Sequence, residues 1–83
     1  MNKLVVTFRS THDAIASQHS LTEASVAFTV MPTPVEITSD CGIALLIDRD
    51  EHARASRALK PLPIRFTRAT LVRGRLELKL TEG

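Results

Sequence analysis

Unbroken apolar runs and alternating ones divide this chain into short elements. Lys3-Leu-Val-Val-Thr-Phe8 is short, β-branched and apolar, the pattern of a buried strand. Ser10-Thr-His-Asp13 follows, a serine with an acid three positions on, which is the form of a helix N-cap. Ala14, Ile15, Ala16, Leu21 and Ala24 then supply an apolar face for a helix ending near Ala24 or Ser25. Val26 to Met31 reads as a second strand, stopped by Met31-Pro-Thr-Pro34. Prolines one residue apart exclude both helix and central strand there. Val35 to Asp40 is polar and turn-rich.

Ile43-Ala-Leu-Leu-Ile47 is a continuous apolar run of strand length, the pattern of a strand covered on both faces. Asp48-Arg-Asp-Glu51 repeats the cap-and-acid signature and opens a second helix carrying Ala53, Ala55, Ala58 and Leu59. Lys60-Pro-Leu-Pro63 ends it. Ile64 to Val72 is a basic, alternating strand, Arg73-Gly74 offers a turn, and Leu76, Leu78 and Leu80 alternate with Glu77, Lys79 and Thr81 in a C-terminal hairpin strand. The order β-α-β, β-α-β plus one strand predicts an α+β fold. It is a ferredoxin-like βαββαβ sandwich, two helices on one face of an antiparallel sheet, with an extra C-terminal strand.

Eighty-three residues suit one domain over 1–83, and a chain of that length buries only ~60% of its unfolded surface, which argues against a deep substrate cleft. Up to Ile47 there are two basic and four acidic residues, a balance of −2; from Asp48 on there are nine basic and five acidic, a balance of +4. No basic run exceeds single residues, so the pattern reads as a solvated surface of both signs. RNA binding through Arg65, Arg68, Arg73 and Arg75 ranks last, because only Phe66 offers stacking nearby. The single cysteine excludes an intramolecular disulfide, and with no charged-then-apolar leader the chain is expected in the cytoplasm. No apolar stretch approaches the ~20 residues of a membrane span.

The predicted topology sets the first and third strands side by side and antiparallel. The end of the first, Arg9 to His12, then meets the start of the third, Ser39 to Gly42, and Cys41 faces the start of the first helix. A helix N-terminus carries roughly half a positive charge and unpaired N–H groups, both of which favour a thiolate. His12 would add to that effect when protonated, Asp40 and Asp13 would oppose it, and Gly42 would let an incoming sulfur approach closely. A lone cysteine at the head of an apolar strand also reads as a small buried hydrophobe. His19 and His52 read as surface residues and Met31 as core. The three histidines and one cysteine lack metal-ligand spacing, and Gly42, Gly74 and Gly83 form no phosphate loop, so no metal or cofactor is expected.

Three blocks, Phe8-Arg-Ser-Thr-His-Asp-Ala14, Met31-Pro-Thr-Pro-Val-Glu-Ile37 and Ser39-Asp-Cys-Gly-Ile-Ala-Leu45, occur in an order that resembles a small bacterial family of selenium/sulfur carrier-like proteins. The resemblance implies that Cys41 holds the chalcogen as a persulfide or perselenide, with Ser10, Thr11, His12, Asp40 and Gly42 supporting it. It implies a cysteine desulfurase or selenium-handling protein as partner, and a carrier rather than an enzyme. Shorter members are expected to stop near Arg68. A carrier needs one exposed thiolate and no deep cavity. The alternative is a non-enzymatic protein-interaction or regulatory module in which Cys41 is structural and Arg75 to Thr81 supplies the edge strand of a homodimer.

Overall fold

The computed structural model describes residues 2–34, 37, 41–60, 62–72 and 75–79, with side chains through residue 70. Val35, Glu36, Asp40, Pro61, the Arg73-Gly74 turn, Leu80 and Thr81 lie outside the described residues. The elements are β1 (Asn2–Phe8), α1 (Thr11–Glu23), β2 (Thr29–Pro32), β3 (Ile43–Asp48), a 3₁₀ turn (Arg49–Glu51), α2 (His52–Ala58), β4 (Ile64–Val72) and β5 (Arg75–Lys79). They form a five-stranded sheet in the order β2-β3-β1-β4-β5, with every pairing antiparallel. The first four strands have the ferredoxin-like arrangement of an α+β fold, and β5 is appended beside β4.

The central position of β1 explains its composition: Leu4, Val5, Val6, Thr7 and Phe8 are all buried, because both faces and both edges are covered. Leu4, Val6 and Phe8 share the helix-side core with Ala14, Leu21, Val26, Leu45, Ile47, Ala55 and Leu59. Val5 packs on the reverse face with Ala44, Ala69 and Ile37, so the segment after β2 sends one side chain across that face. Each fully buried aliphatic side chain contributes about 1.5–3 kcal/mol. Among the described residues, no helix is long and apolar enough to cross a membrane.

Both helix starts differ from each other in mechanism. Ser10 caps α1 as its sequence predicts, its hydroxyl accepting from the Asp13 N–H at 3.2 Å. Asp48 makes no side-chain cap; its carboxylate instead accepts from the Lys3 ammonium of the neighbouring strand, and the chain enters α2 through a 3₁₀ turn. Ile15 is half exposed and Ala53 exposed, against expectation, while Ser17 takes the buried position between Ala14 and Leu21. The inward stripe of α1 therefore follows 14, 17 and 21, one helix face.

α1 ends in a Schellman motif: Val26 N–H donates to the Leu21 carbonyl and Ser25 N–H to the Thr22 carbonyl, with Ser25 at a φ of 59°. Val26 is thereby turned into the core rather than into a strand, which is why β2 begins at Thr29 and not at Val26. Arg54 of α2 donates to the Ala24 carbonyl at 2.8 Å and pairs with Glu51 at 2.9 Å, fixing the end of α1 against α2.

Candidate functional site

Of the segments expected to meet, Arg9 to His12 and Ser39 to Gly42, the second is described only at Cys41 and Gly42. The β1–β3 register pairs Val6 with Leu45, so the chain beyond Phe8 runs level with the residues before Ile43. Cys41 lies in the same core cluster as Phe8, at the end of β1, and Ala14, in the first turn of α1. Ser10 is partly exposed there, and Thr11 and His12 are exposed. Asp40 lies outside the described residues.

The sulfur itself is not where a resting carrier would keep it. Cys41 is 1% exposed, which corrects the expectation of a water-accessible thiolate against the helix tip. Its position parity is the reason. Residues 41, 43, 45 and 47 alternate onto the helix side, so the side chain enters the core that α1 covers. The sulfur accepts a hydrogen bond from the Ile43 N–H at 3.4 Å. In this conformation no donor molecule reaches it.

Thr33, not singled out by the sequence pattern, holds the head of β3 in place. Its N–H donates to the Gly42 carbonyl at 3.0 Å and its hydroxyl to the Cys41 carbonyl at 2.8 Å, extending the β2–β3 ladder past Pro32 and Ile43. A signal was present: in Pro32-Thr33-Pro34 only the threonine has an N–H to give. Gly42 is exposed, and a Cβ placed on it would meet nothing within 4 Å, so internal packing does not demand glycine there. The surface over that residue is open to a partner.

His19 and His52 are exposed, as expected, and His52 rests edge-on against Phe66 with ring centroids 4.8 Å apart. Phe66 pairs in register with Val6 and Arg68 with Leu4 on the helix side, leaving Arg65 alone of these three on the other face. That separation removes the sheet surface on which an RNA strand would stack. A shallow cavity of about 90 Å³, lined by Asn2, Lys3, Arg49, Arg68, Ala69 and Thr70, lies at the opposite end of β1 from Cys41.

The family described as "Putative Se/S carrier protein-like" matches residues 3–68 of the 83. The chain belongs to this family. The match contains β1 through the first half of β4 and with them Cys41, Thr33 and the start of α1. It ends at Arg68, so β5 lies outside the part shared with the Se/S carrier-like family. Comparison with curated proteins and with solved structures gives no match.

Proposed function

We propose that this protein carries sulfur or selenium on Cys41, loaded from a donor protein's persulfide or perselenide through a transient opening at the head of β3. Membership of the Se/S carrier-like family over residues 3–68 carries this reading, and Cys41 is the chain's only thiol. In the loading step the Cys41 thiolate attacks the outer chalcogen of the donor's R–S–SH or R–S–SeH. The new Cys41 sulfur–chalcogen bond forms as the donor bond breaks, the donor cysteine leaves as a thiolate, and no external oxidant is needed. Delivery repeats the exchange, with Cys41 as leaving group.

Burial defines what loading requires: the Cys41-Gly42 backbone must part from Thr33 before a donor reaches the sulfur. Local openings of this kind lie below the global unfolding free energy. Gly42, exposed and uncrowded, is the point at which a donor loop would approach.

The same 1% exposure favours a second reading, an interaction module in which Cys41 is a small core side chain. Alkylation of the native protein across a urea series separates the two. A carrier shows a rate nearly independent of urea below the unfolding transition, and incubation with a cysteine desulfurase and its substrate adds one sulfur or selenium to Cys41 by mass. A Cys41 that reacts only in step with global unfolding, and gains no mass, establishes the structural role.

A further inference from the structure

The cavity of about 90 Å³ at the start of β1 is lined by Asn2, Lys3, Arg49, Arg68, Ala69 and Thr70. Its three charged residues are all basic and come from three separate segments: β1, the 3₁₀ turn after β3, and β4. The registers explain how they meet. β1 lies between β3 and β4, with Lys3 opposite Asp48 on one side and opposite Ala69 on the other. Arg49 follows Asp48 and Arg68 precedes Ala69, so the two arginines flank the start of β1 from its two sides. We infer that this cavity binds one tetrahedral oxyanion of the phosphate class, held between Arg49 and Arg68.

Pairing, charge and size carry the assignment. The Lys3 ammonium is largely buried and already answered by the Asp48 carboxylate. Arg49 and Arg68 are exposed and make no ion pair or hydrogen bond among the described residues. None of the six lining residues is acidic. Two unanswered guanidinium groups at one cavity match the charge of a dianion, and their planar forks match pairs of phosphate oxygens. The Asn2 amide and the Thr70 hydroxyl add neutral donors to the same wall.

Pockets that enclose an organic ligand run to about 300–1,000 Å³. This cavity is well below that range, so it has room for the anion itself, and anything attached to the anion stays in solvent. It lies at the far end of β1 from Cys41, so the inference stands apart from the carrier reading.

Inorganic phosphate titrated into the full chain at constant ionic strength, above neutral pH and followed by backbone amide shifts, tests this. The amides of Lys3, Arg49, Arg68, Ala69 and Thr70 are expected to move together and saturate with a Kd of about 1 mM. Arg49→Gln with Arg68→Gln should weaken binding about tenfold or more. Arg57→Gln with Arg65→Gln removes the same charge from exposed positions outside the cavity and should leave binding unchanged. Circular dichroism verifies that each variant is folded. Glycerol phosphate, titrated in parallel, separates the two sources of the anion. Binding within about threefold of phosphate supports a phosphoryl group on a larger molecule, and binding about tenfold weaker supports the free anion. Shifts that never saturate, shifts spread equally to Arg57 and Arg65, or equal weakening by both variant pairs would each overturn the proposal.

Discussion

Ser17 sits on the buried face of α1 between Ala14 and Leu21, and its hydroxyl has no hydrogen-bond partner among the described residues. A buried unpaired hydroxyl costs about 1–3 kcal/mol, and alanine is also the better helix former. Ser25, at the C′ position of the same helix, holds a φ of 59° that glycine adopts without strain. Ser17→Ala and Ser25→Gly are each expected to stabilise the fold by about 0.5–1 kcal/mol, seen as a rise in Tm of several degrees in a thermal melt. A lowered Tm in either would refute the corresponding account. The sequence placed the end of α1 correctly because Ser25 and Val26 break the pattern. It assigned Ile15 to the inward face wrongly because a polar residue, Ser17, occupies that stripe.

At the level of elements, the join between β2 and β3 matters most to the site. Thr33 makes one bond through its N–H and one through its hydroxyl, to successive carbonyls around Cys41. Thr33→Val keeps the shape and the N–H and deletes the hydroxyl bond. It should reduce stability by about 1 kcal/mol and speed native alkylation of Cys41 about fivefold, measured by mass spectrometry. An unchanged alkylation rate would mean that Thr33 does not hold the head of β3 shut. The two prolines excluded a central strand at residues 32–34, and β2, which ends on Pro32, is an outer strand of the sheet. The helix starting at Asp48 was legible only in outline: its cap residue was taken by Lys3, a partner 45 positions away.

Over the whole molecule, β5 extends a sheet whose family-shared part ends within β4. β4 pairs with β1 from Phe8–Ile64 to Asn2–Thr70, so the first four strands keep their own ladders without β5. A chain ending at Val72 is therefore expected to fold, with unchanged α+β circular dichroism and a lower Tm from exposing buried Ala69, which β5 covers at Leu78. Loss of the folded signal would show that β5 is integral to the domain. The same scale decides the chemistry. The charge argument for a thiolate at the tip of α1 required a sulfur in water, and the sandwich packs that sulfur among Phe8, Ala14 and Leu45. The carrier reading now rests on the family and on an opening motion.

Local information in the chain was enough for the element types, their order, the α1 cap and the antiparallel pairing of β1 with β3. Each follows from period, capping chemistry or the handedness and pairing rules of a short α+β chain. Which way Cys41 faces, what Ile37 covers, and that Thr33 clamps the strand beside it are set by contacts between residues far apart in sequence. Burial is a property of the packed layers, and no single segment encodes it.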